Sequence, residues 1–237
     1  MRKFFLTIAL LVGMNAFAGE GLESVMNTSV KMESQNETDS VAKRNSHLSV
    51  HLGFGVSIPV NVDDDISLVT MKSWESMVGI TYDYTPKGAL QTYSVGLGGI
   101  FRNYGTGSKN YFGKTDDGYV GMAHFPDGTK KRGSHIHTYS LAVPLMFTQK
   151  FGQKSHFGIS LGAVLNLNTG DINSHYTIGD NDYSITTHHI GVRPFTVDFI
   201  GIFRFYGFGL YCKYSPMSVL KTDRGPRFQS VSVGLCF

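Results

Sequence analysis

Apolar and polar side chains alternate with a period of two residues over much of this chain. In segment 47–59, apolar residues occupy the even positions from Leu48 to Ile58, and Gly, Ser and His lie between them. Successive side chains of a β-strand point to opposite faces, so this pattern predicts a strand and fits no helix. Seven later segments alternate in the same way. The sequence therefore predicts eight strands, at 47–59, 74–84, 93–102, 138–148, 156–167, 195–204, 208–215 and 230–237.

The connections between the predicted strands are long and short in turn. The long ones are 61–73, 103–134, 168–190 and 216–227, and the short ones are 85–89, 150–155 and 205–207. Transmembrane β-barrels have this order, with short periplasmic turns and long extracellular loops. The predicted fold class is therefore all-β, an eight-stranded antiparallel transmembrane β-barrel of that kind.

The two faces of the predicted strands differ in chemistry. One face is aliphatic and aromatic, whereas the other carries Gly, Ser, Thr, Asn and charged residues, which do not form the apolar interior of a soluble barrel. We predict that the apolar face meets lipid and that the polar face lines the interior. The alternative, a soluble periplasmic ligand-binding barrel, requires the opposite arrangement. Aromatic residues expected in girdles at the two ends are Trp74, Tyr139, Phe195 and Tyr214 on the outside, and Tyr84, Tyr93, Phe147, Phe157, Phe208 and Phe237 on the periplasmic side.

The first residues have the three-part form of a secretory signal peptide. Arg2 and Lys3 precede the apolar segment 4–14, and Ala16 and Ala18 provide the small residues of a cleavage site. We predict a signal peptide at 1–18, a flexible periplasmic lead-in at 19–46 and an outer-membrane barrel at 47–237. The net charge of +3 over 237 residues falls to +1 without Arg2 and Lys3, so nucleic acid is not an expected partner.

Two pairs of segments carry a family resemblance. Segments 140–147 (SLAVPLMF) and 157–163 (FGISLGA) form one pair, and segments 207–216 (GFGLYCKYSP) and 232–237 (SVGLCF) form the other. The first pair resembles a strand pair, and the second the closing hairpin, of the PorT-like outer-membrane β-barrel family. This resemblance implies a barrel in the outer membrane of a Gram-negative cell, without catalytic residues. The terminal Phe237 resembles the signal that the outer-membrane insertion machinery recognises. Pro144 lacks a backbone donor, so we expect a β-bulge there.

Charged residues on the inward face are the first candidate site. Eight strands enclose an interior that side chains fill, so a diffusion pore is not expected. Buried charges persist when they are paired, which favours a structural polar network. An alternative is a narrow path for an ion or a small solute. The predicted network consists of Glu75, Asp83, Arg102, Asp198 and Lys213.

The loop at 103–134 is the second candidate site. A loop of this length is either disordered or functional, and its aromatic residues favour contact with an extracellular protein or glycan. The alternative is that these rings pack on the barrel rim. The candidate contact residues are Tyr104, Tyr111, Phe112, Tyr119 and Phe125.

Residues with possible metal or catalytic chemistry give weaker patterns. His135 and His137 share one face of a predicted extended segment, as two metal ligands would, but no third ligand clusters with them. Ser134 beside His135, with Asp182 or Glu75, would be needed for a lipid hydrolase at the rim, yet adjacent strand residues point to opposite faces. We therefore predict no enzyme, metal or cofactor. The predicted role is a structural or surface-interaction protein of the outer membrane whose lipid it contacts, with the transporter and the hydrolase as alternatives.

Cys212 and Cys236 are the only cysteines of the chain. Two cysteines are too few for a disulfide scaffold. The predicted strand register places them on opposite faces, so we do not expect them to form a disulfide.

Overall fold

The computed structural model describes residues 45–63, 66–107, 109–151 and 156–237. The predicted signal peptide and residues 19–44 of the predicted lead-in lie outside the described residues. Within the described part of the chain there is no helix with the length and apolar character needed to cross a membrane. The strands are β1 (Ser46–Val60), β2 (Trp74–Tyr84), β3 (Gln91–Gly105), β4 (Asn110–Lys114), β5 (Val120–His124), β6 (Lys130–Phe151), β7 (Phe157–Ile178), β8 (Asn181–His188), β9 (Phe195–Phe205), β10 (Phe208–Ser215) and β11 (Gln229–Cys236), and a short 3₁₀ helix spans Thr70–Lys72.

Eight of these strands form a closed antiparallel ring. Their order is β1-β2-β3-β6-β7-β9-β10-β11, and β11 pairs back with β1. Closure of this kind leaves no free strand edge within the ring. Because neighbouring strands run in opposite directions, all long connections lie at one end, the loop end, and the short turns lie at the other, the turn end. The all-β prediction and the number of strands in the ring are confirmed.

The ring exposes apolar side chains on its outer face and buries polar ones inside. Leu48 is 71% exposed and Leu161 is 61% exposed, whereas Glu75 and Asp198 have no exposed surface. The alternation is strictest in β10, with exposed residues at every even position and buried residues at every odd one. The predicted outward position of the apolar face and inward position of the polar face are confirmed, while contact of the outer face with lipid stays a prediction.

Glycine allows close approach of the strands where the ring closes. Gly55 of β1 lies opposite Gly234 of β11. A Cβ atom on Gly234 would collide with the backbone of β1 at Phe54 and Gly55, and one on Gly55 would meet the hydroxyl of Tyr211. These two glycines therefore make room for an inward-pointing tyrosine beside the closing strand pair.

Strands continue into two of the segments that we predicted as loops. β6 and β7 are each 22 residues long and remain paired from Phe151 and Phe157 to the neighbourhood of Lys130 and Thr177. β8 pairs with residues 171–178 of β7, and β4 pairs with β5 as a separate hairpin. The prediction of 103–134 and 168–190 as loops is thus wrong in part. The outer parts of β6 and β7 together with β8 are named the loop-end wall here: residues 130–137, 171–178 and 181–188.

The β-bulge predicted at Pro144 is absent from the described strands. Pro144 lies opposite Val164 of β7 in an uninterrupted register. On the other side, the register between β3 and β6 is the same before and after the proline, with Val95 opposite Leu145 and Gly98 opposite Ala142. The pairs between these positions are missing from the ladder. The missing N–H donor therefore interrupts the ladder without adding a residue.

Aromatic rings form two belts on the outer face of the ring. At the loop end, the ring centroid of Trp74 lies 5.7 Å from that of Phe54 and 5.0 Å from that of Phe101. The centroids of Phe101 and Tyr139 are 5.1 Å apart. At the turn end, further contacts join Tyr93 to Phe147 at 5.5 Å, Phe157 to Phe203 at 4.8 Å and Phe208 to Phe237 at 5.4 Å. The rings thus concentrate where the apolar surface ends.

Candidate functional site

A charged layer crosses the interior of the ring near its loop end. Glu75 of β2 is its centre, with the Nε of Arg102 donating to Oε2 at 2.6 Å and the Nζ of Lys213 also 2.6 Å from Oε2. Tyr211 donates to Oε1 at 3.2 Å, and Ser232 donates to Oε2 at 3.3 Å. The carboxylate is therefore neutralised and hydrogen-bonded from three other strands, as a fully buried charge requires.

Arg102 joins this carboxylate to a second one. Its Nη2 donates to Oδ2 of Asp198 on β9, and Asn166 of β7 donates to the same oxygen at 2.8 Å. All four charged residues of the layer are buried. Two carboxylates facing one guanidinium and one ammonium give the layer no net charge. The structure thus brings together four of the five residues predicted for the network.

Asp83 belongs to a separate polar group at the turn end. It accepts hydrogen bonds from Ser49 at 2.6 Å and Thr81 at 3.0 Å, and the Nε2 of His47 lies 3.4 Å away. The prediction that Asp83 shares one network with the other four residues is corrected here. Asp83 and Glu75 lie eight residues apart on the same strand, near opposite ends, so no side chain joins them.

An apolar layer lies inside the ring. It consists of Ile100, Ala142, Val164, Ile200, Ile202, Tyr211 and Cys236, with Met77 and Met146 packed against it. Ile200 and Ile202 interrupt the polar face of their strand in the sequence, as Met77 and Met146 do in theirs, and these residues are the sequence's indication of the layer. At this level of the ring, packed apolar side chains therefore fill the interior in place of water.

An apolar lid covers the loop end of the interior. Every long connection contributes to it: Ile66 follows β1, Val120 lies in β5, Ile190 follows β8, and Leu220 follows β10. The remaining buried members are Tyr104, Phe112, Ile136, Ile172, Val219 and Phe228. Sequence reasoning missed this lid because its members are single apolar residues scattered among polar loop residues. The lid separates the charged layer from solvent at the loop end.

The candidate contact residues of the 103–134 segment divide between buried and more exposed positions. Tyr104, Phe112 and Phe125 are buried. Tyr119 is exposed, and Tyr111 is half-buried. Three of the five rings are thus buried within the protein, as the alternative interpretation of this segment expected, and Tyr111 contacts one of them, Phe125. Contact with a partner stays a prediction for Tyr111 and Tyr119.

A cavity beneath the lid adjoins the charged layer. Its volume is about 10 Å³, and its lining includes Arg102, Thr138, Asp198 and Ser215. One water molecule needs about that much space. The hydroxyl oxygens of Thr138 and Ser215 and the Oδ1 of Asp198 have no hydrogen-bond partner among the described residues. The cavity therefore suits one polar solvent molecule and is too small for an organic solute.

Three histidines form a row on the outer face of the loop-end wall. The ring of His135 stacks at 6.2 Å on His137 and at 6.2 Å on His175, and the Nδ1 of His137 lies 3.1 Å from Asp171. Burial lowers the pKa of His135 to about 4, with further lowering by the two neighbouring histidines and Lys72. Sequence reasoning missed His175, which only the pairing of β6 with β7 brings close. No group of three or more His, Cys, Asp or Glu side chains in the described ranges is arranged to hold a metal ion.

The side chains considered for a hydrolase, Ser134, His135 and Asp182, do not lie together in one site. Ser134 is buried, where its hydroxyl bonds to Ser174 at 2.7 Å and accepts from the N–H of Phe112 at 3.0 Å. His135 lies on the opposite face of β6, and Asp182 is held by Thr177 at 2.6 Å. This arrangement provides no base for Ser134. The prediction that the protein is not an enzyme stays a prediction.

The two cysteines lie on different sides of the ring. Cys212 is exposed on the outer face, Cys236 is buried in the interior, and both are free thiols. The prediction that they lie on opposite faces is confirmed.

Comparisons with known proteins do not assign the chain to a family. The chain matches no protein-family model, and a search of curated proteins finds no match. Membership of the PorT-like family therefore stays a prediction. Among solved structures, Ail, the attachment invasion locus protein of Yersinia pestis, is similar with a TM-score of 0.36 and 12% sequence identity, over 82% of this chain and 100% of that chain. A TM-score of this size does not establish a shared fold, so the closed ring rests on the strand pairing of this chain alone.

Proposed function

We propose that this chain is an integral outer-membrane β-barrel with a structural and surface-interaction role, in which the loop end is extracellular. The observation that carries the proposal is the continuous apolar outer face of a closed ring whose polar side chains are buried. Acyl chains are the solvent that suits such a surface, because the strands of a closed ring pair their backbone groups with one another and leave no free edge.

Strand lengths and aromatic belts support the membrane location. β2 and β9 each have 11 residues, within the 9–11 that a tilted transmembrane strand needs. β2 begins at Trp74 and ends at Tyr84, and β9 begins at Phe195 and ends at Phe205. Aromatic residues at both ends of a strand fit the two headgroup regions of a bilayer. The soluble-barrel alternative would expose this apolar surface to water.

The filled interior favours a role at the surface over transport. The apolar lid, the charged layer and the apolar layer block the interior in turn, and the cavity between them has room for one water molecule. A solute would have to displace paired, fully buried charges. The long connections and the loop-end wall are therefore the parts available to a partner, which we take to be an extracellular protein or glycan.

Lysine labelling in intact cells tests both the location and the topology. Lys109, Lys130 and Lys131 are exposed at the loop end, and Lys87 is exposed in a turn at the opposite end. We expect a membrane-impermeant biotin ester to label the first three in intact cells, as mapped by mass spectrometry. Lys87 is the matched control and should become labelled only after the outer membrane is permeabilised.

Two results would contradict the proposal. One is equal labelling of Lys87 and Lys130 in intact cells, which would contradict the proposed orientation with the loop end outside the cell and the turn end in the periplasm. The other is release of the protein from membranes by alkaline carbonate without detergent, which would favour the soluble periplasmic barrel.

A further inference from the structure

β8 is the end strand of the nine-stranded sheet. It pairs with β7 from Asp171 opposite His188 to Ile178 opposite Asn181, and within the described part of the chain no strand lies on its other side. In an antiparallel strand, about half of the backbone N–H and C=O groups point away from the paired neighbour. β8 is eight residues long, and alternate residues along it therefore present unpaired backbone donors and acceptors at the loop end.

The side chains along this edge differ in polarity between the two faces of β8. Tyr183 and Ile185 lie on the face that β4 and β5 cover elsewhere, and they remain 44% and 48% exposed. Asp182, Ser184 and Thr186 alternate with them on the polar face and are exposed. An added strand would find an apolar row on one side and a hydroxyl-rich row on the other.

The edge lacks the devices that protect natural edge strands. Such strands usually carry Lys or Pro, or contain a bulge that twists the edge away. β8 has the sequence NDYSITTH, without Lys or Pro, and its register against β7 is uninterrupted. Asp182 is the one carboxylate of β8, so its sequence and register leave the edge open to another strand, with a preference for one that carries a positive charge beside Asp182.

The loop-end wall is braced, so the edge is held in place before any partner binds. Tyr183 stacks on Tyr176 with centroids 5.3 Å apart, Tyr176 contacts Phe125 at 5.7 Å, and Phe125 contacts Tyr111 at 5.0 Å. This chain of rings joins β8 to the hairpin of β4 and β5. A strand that is already ordered loses less conformational entropy on binding.

We propose that the free edge of β8 binds an extended segment of a partner protein by strand addition. The inference rests on the proposed function, since it requires the loop end to be accessible. The fitting segment alternates apolar and polar residues, and it carries Lys or Arg at the end that lies beside the exposed carboxylates of Asp180 and Asp182. Backbone hydrogen bonds would provide the affinity, and the apolar row and the carboxylates would select the sequence.

A peptide copied from the natural neighbour of β8 tests this surface. Residues 171–178 already pair with one edge of β8, so the labelled peptide DINSHYTIK, which adds a C-terminal lysine, suits the other edge in the antiparallel direction. With the full chain in detergent micelles, we expect saturable binding by fluorescence anisotropy, and no binding of a scrambled peptide. Hydrogen exchange should slow at residues 181–188 when the peptide is bound.

Two lysine variants separate edge pairing from general charge effects. Ile185→Lys places a charge in the apolar row and should weaken peptide binding at least tenfold. Ser184→Lys adds the same charge at the neighbouring residue, on the opposite, polar face of the strand, and should weaken peptide binding clearly less than Ile185→Lys does. Both side chains are exposed, so the fold should persist, which the heat-dependent mobility of the folded ring on gels checks.

Several outcomes would overturn the inference. These are no peptide binding, equal binding by both variants, or slowed exchange outside β8. A dimer of the free protein that Ile185→Lys separates would instead assign the edge to a second copy of the chain. Carbonate extraction of the same preparation distinguishes these results from failure of the proposed membrane location.

Discussion

Removing Arg102 should destabilise the folded ring more than removing any other single charge of the interior. Arg102 pairs with both buried carboxylates, Glu75 and Asp198. In Arg102→Met, Glu75 keeps the ammonium of Lys213 at 2.6 Å. Asp198 keeps only the hydrogen bond from Asn166 and becomes a buried charge without a counter-charge. Breaking a buried ion pair by removal of one partner costs about 3–5 kcal/mol, so we expect a loss of about 4 kcal/mol in the free energy of unfolding.

The size of the effect can be traced to one charge by a second substitution. Asp198→Asn, added to Arg102→Met, removes the unpaired carboxylate and leaves Glu75 with Lys213 as a balanced pair. We expect the double variant to be more stable than Arg102→Met by about 2 kcal/mol, because coupled neighbours show interaction energies of about 0.5–3 kcal/mol. Lys213→Met should cost less than Arg102→Met, since Arg102 still pairs with both carboxylates.

Equilibrium unfolding by urea in detergent or lipid vesicles measures these differences. Trp74 is the only tryptophan of the chain and lies in the loop-end aromatic belt against Phe54 and Phe101, so its fluorescence reports loss of the ring. The reasoning is refuted if Arg102→Met lies within 1 kcal/mol of the natural chain. It is also refuted if Asp198→Asn lowers the stability of the Arg102→Met variant instead of raising it.

Three further predictions concern closure, pH and thiol position. Gly234→Ala should cost about 1–3 kcal/mol by overpacking at the closing strand pair, whereas Gly99→Ala, with no atom closer than 4.0 Å to its new methyl, should fold normally on heat-dependent gels. The imidazole of His135 stays neutral in the folded chain down to its lowered pKa of about 4. The unfolded chain binds that proton below about pH 6.5. The contribution of neutral His135 to the free energy of unfolding should therefore be fully present above about pH 6.5 and fall by about 1 kcal/mol toward pH 4, after allowance for partial exposure. A His135→Gln variant in parallel urea titrations should lack this loss. An apolar maleimide should react with Cys212 in vesicles faster than a charged one, while Cys236 reacts with either only after unfolding, and equal rates at Cys212 would argue against its lipid exposure.

The ring could be predicted from the sequence because lipid contact imposes a regular pattern. Where a strand separates an apolar environment from a polar interior, side chains must alternate, as they do from Leu48 to Ile58. The outer parts of β6 and β7 lie beyond the aromatic belts and lack this constraint. Segment 168–178 has Ile172, Tyr176 and Ile178 as its only apolar residues, too few to indicate a strand. The sequence therefore predicts a loop where the structure has the loop-end wall.

The candidate site could be predicted to the extent that it depends on neighbouring strands. Glu75 lies directly opposite Arg102, so the register of β2 and β3 is sufficient to pair them. Asp198 and Lys213 reach the same layer from β9 and β10, which requires the ring to close. The apolar lid depends on all four long connections meeting above the interior. The contacts within the lid join residues distant in sequence that follow no period, so composition and alternation did not indicate them.

The interior and the edge of β8 should act independently, because they have no charged residue or hydrogen bond in common. Arg102→Met changes the charged layer within the ring, and Ile185→Lys changes an exposed side chain of the loop-end wall. Distant sites without shared partners usually have additive effects. We therefore expect Arg102→Met to lower the free energy of unfolding without altering peptide affinity under conditions where the ring remains folded. Ile185→Lys should weaken peptide binding without altering the free energy of unfolding. If Arg102→Met weakened peptide binding by folded protein, the lid would have to transmit a change from the interior to β8, and the interior would no longer be only a structural support.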